Sequence, residues 1–354
     1  MPVFHHEYLH KVSYHIFRSL GATNEESETV SRHVVKANLV GHDSHGMIQV
    51  PVYADRIKIG HIIPGAPYEI LNETSSTARI DGHWGFGYVV TERAMRLAIA
   101  KSKEHGVAAL TVLRQSHIGR LGDYPTMALN EGLIGMITAD SGAGPKAVAP
   151  FGGKERKLGT NPICIGVPSD LEGPVLLDMA TSAVAAGKIS LAVNRQESIP
   201  STWVVDKQGN PTTNPQDYFD GGAILPVGAD QGHKGYGLSF MVEMFSGILT
   251  GLGFGVDPEA RHNDGCFIAV FNVEAFRSLD SFKREMKEFS HFVKSSTPAK
   301  GFSEVLYPGE LEWRTELKRR AEGVFIEDET WKQLWDLVEE GNLTDTVGEP
   351  TVIG

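Results

Sequence analysis

The middle of the chain alternates between helical and strand-like segments, and this alternation most limits the possible folds. Residues 91–106 carry a strong helical pattern, the apolar run at 107–113 follows directly, and a helix is predicted over about 123–131. Such a succession predicts helices packed on a sheet, which is an α/β core. The further apolar runs predicted as strands are 133–140, 163–168, 175–180 and 266–271, with a buried helix at 238–251.

Both ends of the chain are helical in pattern. Residues 5–40 predict two amphipathic helices, the first ended by Gly21 and the second opened by a capping box of Thr23 and Glu26. A loop at 41–46 leads to a third helix that passes through Tyr53 and ends near Gly60. Charged helices return at about 312–322 and 330–340. We therefore expect a helical part (residues 1–65) that packs with the C-terminal helices (305–354) beside an α/β core (66–304).

Charge and cysteine content exclude several classes of partner. The chain carries 33 Lys plus Arg against 44 Asp plus Glu, a net charge of -11. An acidic surface repels phosphate backbones and anionic lipid, so neither nucleic acid nor a membrane is an expected partner. The two cysteines, Cys164 and Cys266, are isolated, and no secretory signal pattern begins the sequence. A cytoplasmic protein is expected.

Two motifs suggest other functions and are weak on inspection. His6 and His10 have the i, i+4 spacing of zinc proteases, but no third ligand is evident and a solvated helix face explains them better. Ser44 and His45 beside Asp43 suggest a serine hydrolase, but the segment lacks the register of a nucleophile elbow. A metal-dependent hydrolase is the alternative from a different class of enzyme, and no metal is expected.

Two glycine-rich segments resemble dinucleotide-binding loops. Residues 142–147 have the GxGxxA pattern after a strand, but Pro145 and the residues that follow do not open a helix. Without a helix, no N-terminal amides are presented to a pyrophosphate. Residues 251–255 end a helix instead of starting one. A Rossmann fold is therefore not expected.

Two polar, glycine-flanked loops carry the best candidates for chemistry. GHDSHG (41–46) holds Ser44 and His45, and SHIGRLG (116–122) holds His117 and Arg120. An imidazole with an unperturbed pKa of about 6.5 donates and accepts protons near neutral pH. A histidine of this kind, a cation and a bound nucleotide are what hydride transfer to a 2-oxo acid requires.

Six motifs in order resemble one known family. They are GHDSHG (41–46), SHIGRLG (116–122), APFGG with LGTNP (149–153, 158–162), LLDMATSAVAAGK (176–188), HKGYGLS (233–239) and YPGE (307–310). Together, over residues 5–325, they resemble the malate/L-lactate dehydrogenase family, which also holds ureidoglycolate and sulfolactate dehydrogenases and a cyclic-imine reductase. The bacterial hydroxycarboxylate dehydrogenase branch is the one it resembles most.

The resemblance implies a non-Rossmann, mixed-sheet α/β fold of the sulfolactate dehydrogenase type. It also implies a homodimer whose active site lies between subunits, with NAD or NADP bound in the core and NAD preferred. It implies a relay role for Ser44, an acid–base role for either His45 or His117, and substrate contact by Thr160. We favour His117 as the acid–base group, with His45 beside it or in contact with the substrate. Thr181 or Ser182 is expected to cap a short helix that meets phosphate. The residues implied to contact the cofactor are His117, Ile118, Gly119, Asp178, Met179, Ala180, Thr181, Ser182, His233, Lys234, Pro308, Gly309 and Glu310.

Two positions depart from what the family leads us to expect. Many members have an arginine that binds the substrate carboxylate where this chain has Gln49, and an amide does not form the charge-assisted contact of a guanidinium. We hypothesise that Arg120 takes over this contact; the alternative is a surface or interface arginine. Lys188 stands where the imine-reductase branch has an acidic residue, and it either adds positive charge near the substrate or simply ends its helix.

These observations predict an NAD(P)-dependent enzyme that interconverts a small 2-hydroxy acid, such as malate, lactate or a bulkier analogue, and its 2-oxo acid. A reductase or dehydrogenase for a cyclic imine or a ureidoglycolate-type substrate is the alternative within the family. Neither the acid nor its stereochemistry follows from the residues.

Overall fold

The computed structural model describes residues 2–140, 142, 144–256, 261 and 264–350. The chain begins with a short strand and three helices: β1 (Val3–Phe4), α1 (His6–Ser19), α2 (Asn24–Leu39) and α3 (Gln49–Lys58). The predicted capping box opens α2: the Glu26 amide donates to Thr23 Oγ1 (3.2 Å), and the Thr23 amide donates to Glu26 Oε2 (2.8 Å). These bonds satisfy amides that have no partner inside the helix.

A seven-stranded sheet forms the core, in the order β2–β3–β4–β11–β5–β6–β7. Only the β3–β4 pair is parallel, and the other neighbours are antiparallel, so the sheet is mixed. Helices α4 and α5 pack on it through apolar faces. The elements are β2 (Glu69–Glu73), β3 (Thr77–Gly85), α4 (Gly87–His105), β4 (Val107–Gln115), α5 (Asp123–Leu129), β5 (Leu133–Asp140), β6 (Ile163–Val167) and β7 (Val175–Met179), with β11 (Gly265–Asn272) placed later in the chain.

A second, smaller apolar cluster lies in the segment between β5 and α8. It joins residues such as Val148, Ile189 and Ile224 and is covered by a three-stranded sheet in the order β10–β8–β9. The elements of this segment are α6 (Ala186–Arg195), β8 (Val204–Val205), β9 (Pro211–Thr212), α7 (Gln216–Phe219) and β10 (Ala223–Ile224). The sequence patterns did not separate this cluster from the main core.

The buried helix expected at 238–251 lies earlier in the chain. Helix α8 (Gly232–Glu243) is followed by a π-helical turn (Met244–Ile248). Gly232, Gly235 and Gly237 make its first turns look like a loop in the sequence. At Gly235 the reason is a close approach, because a Cβ there would lie 2.1 Å from the carbonyl oxygen of Val227. Helix α9 (Leu279–Lys294) was also missed.

The two ends of the chain pack together. Strand β1 pairs with β12, and α1, α2 and α3 contact α12, α10 and α11. One apolar cluster joins Phe4, Phe17 and Val34 to Leu334 and Val338. The C-terminal elements are α10 (Glu310–Glu322), β12 (Val324–Phe325), α11 (Asp328–Glu340) and α12 (Thr344–Val347). The domain division at residues 65 and 305 stays a prediction, since the same cluster also takes in residues 86–89.

Candidate active site

One edge of the sheet collects most of the predicted site residues. Strands β4 and β5 run toward this edge, where Gln115 and Asp140 end them, and β11 starts from it at Gly265. β6 also starts there, after Thr160 and Asn161, and β7 ends there at Met179. Chain segments remote in sequence are thus brought side by side because antiparallel pairing aligns strand starts with strand ends.

His45 and His117 meet at this edge. Their rings stack with centroids 5.5 Å apart and planes 23° apart, both half-buried. His45 lies in a 3-10 turn (Asp43–His45), and its Nδ1 is 3.0 Å from Ser44 Oγ. Burial, with the charge of His117 next, lowers the pKa of His45 to about 3. His45 is therefore neutral near pH 7, which argues against its acting as an acid there.

Two tyrosines that the sequence analysis did not single out hold His117 from behind. Tyr53 Oη of α3 lies 2.7 Å from His117 Nδ1 and 3.0 Å from Tyr88 Oη of α4. Both tyrosines are almost fully buried. Burial raises the pKa of Tyr53 well above its ordinary value, so the hydroxyl stays protonated. Tyr53 follows Gln49 by four residues, a spacing that places both on one face of α3 and was a usable signal.

The backbone after His117 is held by buried polar groups. The Ile118 amide donates to Asp264 Oδ2 (2.9 Å), and the Gly122 amide donates to Asp178 Oδ2 (2.8 Å). Gly119 has a φ of 69°, and a Cβ there would lie 2.2 Å from Tyr88 Oη, so only glycine lets the loop lie on the tyrosine. The loop at 116–122 is thus rigidly positioned between two carboxylates and Tyr88.

Arg120 is buried in the single chain, where two carboxylates contact its guanidinium and its Nε has no hydrogen-bond partner among the described residues. Its side chain is 4% exposed and contacts Asp123 (Nη1–Oδ1, 2.8 Å) and Asp178 (Nε–Oδ2, 3.4 Å). A guanidinium whose charge is compensated by two carboxylates has little left for a third. This geometry argues against the transfer of carboxylate binding from position 49 to Arg120.

Arg56 is a more suitable cation in the same region. It lies on α3 seven residues after Gln49 and three after Tyr53, a spacing that keeps all three on one helix face. Its Nη1 is buried and has no hydrogen-bond partner among the described residues. Burial lowers the pKa of Arg56, while Tyr53 and Asp264 oppose that shift. Gln49 itself donates from Nε2 to the carbonyl oxygen of Ser44 (2.8 Å).

Thr181 does not cap a helix, and this expectation is wrong. Residues 180–185 are not helical, and α6 begins only at Ala186, with Ala185 as its N-cap and no side-chain cap. Thr181 Oγ1 donates instead to the carbonyl oxygens of Thr160 (3.0 Å) and Asn161 (2.9 Å). Ser182 Oγ donates to the carbonyl oxygen of Val184 (3.0 Å). The Thr181 hydroxyl therefore joins the predicted cofactor segment to the predicted substrate segment.

The remaining predicted residues lie in three places. The carbonyl oxygen of Pro308 accepts from the Leu176 amide (2.9 Å), so the late loop packs on the start of β7. The carboxylate of Glu310 is occupied by Lys294 and Arg314. Three exposed residues complete the set: Lys188 on α6, and His233 and Lys234 on α8, where the His233 ring packs edge-on against Phe151 (5.7 Å). Ile118, Met179 and Ala180 lie on the segments described above.

The alternative motifs gain no support. His10 pairs with Glu28 (3.2 Å) and His6 with Glu7 (3.8 Å) on α1. In the described part of the chain, the group with metal-ligand geometry is Glu69, Asp81 and His83, which lacks both α1 histidines. Residues 144–150 form no helix after the GxGxxA-like segment, as expected, and Ala143 lies outside the described residues. Among the described residues, no helix is long and apolar enough to cross a bilayer.

A mixed α/β sheet whose edge presents paired imidazoles between glycine-flanked loops defines a dehydrogenase-type protein without a Rossmann fold. Sequence comparison supports this class. The profile described as malate/L-lactate dehydrogenase matches residues 4–335. The chain belongs to that family.

Individual relatives agree with this assignment. The chain is 38% identical over 330 residues to L-sulfolactate dehydrogenase of Methanocaldococcus jannaschii, covering 92% of this chain and 93% of the relative. It is 33% identical to hydroxycarboxylate dehydrogenase B of Escherichia coli O157:H7, covering 93% and 91%. Similarity therefore does not single out the bacterial branch.

Solved structures show the same fold. Malate dehydrogenase from Entamoeba histolytica superposes with a TM-score of 0.90 at 30% identity, covering 97% of this chain and 98% of that one. The M. jannaschii sulfolactate dehydrogenase gives a TM-score of 0.88 at 36% identity, covering 96% and 97%. The predicted fold class and the prediction of a nicotinamide-dependent 2-hydroxy acid dehydrogenase are confirmed at this level.

Proposed function

We propose that this protein oxidises a small 2-hydroxy acid to its 2-oxo acid reversibly, with His117 as the acid–base group. The observation that carries this proposal is the placement of the half-buried His117 ring against His45, at the sheet edge where the predicted substrate and cofactor segments converge. In the oxidation direction, His117 Nε2 accepts the hydroxyl proton of the substrate, and a bound nicotinamide would supply the hydride acceptor. In reduction, the protonated ring returns that proton to the carbonyl oxygen.

The residues present fit a nicotinamide nucleotide. Loop 116–122 and the end of β7 lie side by side, joined by the Gly122–Asp178 hydrogen bond. Thr160, Met179 and Ala180 are partly exposed beside them, and segment 180–185 offers non-helical backbone. When bound, the nicotinamide supplies the hydride acceptor or donor. We assign cofactor contact to 117–119, 178–182, 233–234 and 308–310, with NAD preferred over NADP.

We further propose that His45 and Ser44 contact the substrate near its C2 oxygen. Thr160 and Gln49 then bind the substrate carboxylate through hydrogen bonds. Lys188, which is exposed on α6, is proposed to add positive charge near the substrate. The compensating cation for the carboxylate is Arg56, because it shares a face of α3 with Gln49 and its buried Nη1 has no hydrogen-bond partner among the described residues. The names of the relatives, malate and sulfolactate dehydrogenases, suggest acids with a second anionic group.

A homodimer is part of the proposal. In the single chain, α8 and the following π-helical turn leave large apolar side chains half or more exposed, namely Phe240, Met241, Ile248 and Leu249. A contiguous apolar surface of this kind is typical of an interface.

Both cysteines are free and buried, in keeping with a cytoplasmic location.

The experiment is a panel of 2-oxo acids, including oxaloacetate, pyruvate and 3-sulfopyruvate, assayed at 340 nm with NADH and NADPH in turn. We expect oxidation of NADH with at least one acid and slower oxidation of NADPH. A cyclic 2-imino acid as the only substrate would favour the imine-reductase alternative. If no acid or imine is reduced and neither nucleotide binds by fluorescence, the proposed function is wrong.

A further inference from the structure

The neighbours of His117 point to a function for two buried tyrosines. Three polar atoms form a chain away from the site: His117 Nδ1, Tyr53 Oη at 2.7 Å, and Tyr88 Oη a further 3.0 Å away. Among the described residues, the hydrogen bond recorded at Nδ1 is the one to the Tyr53 hydroxyl. The position behind a catalytic histidine, commonly held by an aspartate, is here held by a neutral hydroxyl.

The chemistry of His117 demands one particular tautomer. A neutral imidazole that accepts a hydroxyl proton on Nε2 must carry its own proton on Nδ1. The imidazolium formed carries protons on both nitrogens. In both states Nδ1–H is therefore a donor, and Tyr53 Oη must be its acceptor.

A phenol alone does not select this tautomer, because its oxygen accepts and donates equally well. Tyr88 removes the ambiguity when its oxygen accepts the Tyr53 hydroxyl proton, leaving the Tyr53 lone pairs for Nδ1–H. Tyr88 is itself held in place: its ring lies 4.9 Å from that of His33 and under the backbone of Gly119. Both tyrosines are at most 2% exposed, so water does not compete for these bonds.

We propose that Tyr53, oriented by Tyr88, is a positioning residue that holds the neutral His117 ring in its Nδ1-protonated tautomer, with Nε2 facing the substrate. The proposal rests on the assignment of His117 as the acid–base group. Because one hydrogen-bond direction serves both protonation states, the chain needs no rearrangement during turnover.

The ionisable groups around the pair bear on any pH measurement. They come from seven segments: His33 in α2, His42 and His45 in the 41–46 loop, Tyr53 and Arg56 in α3, Tyr88 in α4, Arg120 in the 116–122 loop, Asp123 in α5, and Asp264 just before β11. Burial raises the pKa of both Tyr53 and Tyr88 well above the ordinary value of a tyrosine, so both hydroxyls stay protonated in the working range.

The primary test is the tautomer of His117, read from its two side-chain ¹⁵N shifts in the intact protein above pH 8. We expect the Nδ1–H form in the wild type and a mixture with, or a switch to, the Nε2–H form in Tyr53→Phe. Tyr8→Phe is the matched control, because Tyr8 Oη donates to the carbonyl oxygen of Gly348 (3.1 Å) at the helical end of the chain. A wild-type His117 with its proton on Nε2, or an unchanged tautomer in Tyr53→Phe, would overturn the proposal.

Kinetics give the second readout. We expect Tyr53→Phe to lower kcat for oxidation by about 10- to 100-fold and to change KM little. This loss is smaller than the full contribution of acid–base catalysis, which is about 10²- to 10⁴-fold. The limb of the pH–rate profile moves to lower pH, because the imidazolium loses an acceptor. An unshifted limb with a merely scaled rate would contradict the proposal. Since the NMR readout needs no turnover, it separates failure of this proposal from failure of the proposed function.

Discussion

The rings of His45 and His117 stack on each other, but their Nδ1 atoms have different hydrogen-bond partners. Ser44 Oγ lies next to Nδ1 of His45, and Tyr53 Oη lies next to Nδ1 of His117. The pKa of His45 is lowered to about 3 by burial first and His117 next. Of the two rings, His117 is therefore assigned the proton transfer, and His45 a neutral hydrogen-bonding partner. The predictions below separate these roles and those of the nearby charges.

Replacing each histidine by asparagine should give different results. We expect His117→Asn to lower kcat by about 10²- to 10⁴-fold, because the acid–base group is lost. His45→Asn should mainly raise KM and leave the limbs of the pH–rate profile in place, because a ring that is neutral above pH 4 adds no titration there. The pH dependence of kcat and kcat/KM measures this. A limb that disappears only in His45→Asn would reverse the assignment.

The pH dependence of stability should show the same low pKa. In the unfolded chain His45 takes up a proton below about pH 6.5, whereas the folded chain does so only near 3, so protonation favours unfolding in that window. We expect His45→Asn to gain stability relative to the wild type as the pH falls from about 6.5 toward 4. Urea unfolding of both proteins across this range measures the difference. A constant difference at all pH values would show that His45 does not titrate with a lowered pKa.

His33 should show the opposite dependence. Its ring is 1% exposed and lies between Glu92 (2.8 Å) and Asp123 (3.1 Å). Burial lowers the pKa of His33, but the hydrogen bonds to Asp123 and Glu92 outweigh it, and the pKa is raised. Its stabilising contribution is thus fully present below about pH 6.5 and is lost as the pH rises through the raised folded pKa.

We therefore expect His33→Gln to lower the free energy of unfolding by about 3–5 kcal/mol at pH 6, the cost of breaking a buried ion pair. The loss should shrink at pH 9. His15→Gln on the surface of α1 is the control and should change little. A loss that grows with pH would show that His33 is neutral in the folded protein.

Substitutions of Arg56 and Arg120 should have different effects, the first on substrate binding and the second on stability. Loss of a charge-assisted contact costs about 1.5–3 kcal/mol, so we expect Arg56→Met to raise KM for the 2-oxo acid by about 10- to 100-fold. Arg56→Lys should recover part of it. Arg120→Met should instead lower the Tm, because it leaves Asp123 and Asp178 buried without their cation. If only Arg120→Met raises KM, the carboxylate contact belongs to Arg120 after all.

Gly119 offers a test of the packing between the 116–122 loop and Tyr88. Gly119→Ala meets both a φ of 69° and a contact of 2.2 Å with Tyr88 Oη, whereas Gly60 has a φ of 72° and open space around its Cβ position. We expect Gly60→Ala to cost about 1–2 kcal/mol from backbone strain alone. Gly119→Ala should cost more and also lower kcat. If Gly119→Ala and Gly60→Ala lost the same stability and Gly119→Ala kept full activity, the Tyr88 side chain would have moved to accept the added methyl group.

Local patterns in the sequence determined the local structure. The capping box of Thr23 and Glu26, the bounds of β5 and the end of α3 near Gly60 were all predictable, because each depends on residues a few positions apart. The ordered motifs also identified the family and the two histidine loops. The glycine-rich start of α8 was not predictable, since Gly235 is required by the close approach of Val227, a contact between segments.

Only the tertiary structure decided which side chains meet. Tyr53 and His117 are 64 positions apart and touch because α3 folds against the end of β4. Arg120 looked available in the sequence, but the fold places Asp178 of β7 beside it and neutralises its charge. Hydrogen bonds and ion pairs between distant segments depend on distances of a few ångströms, and strand order and helix packing set those distances. The periodicity within one segment contains no information about them.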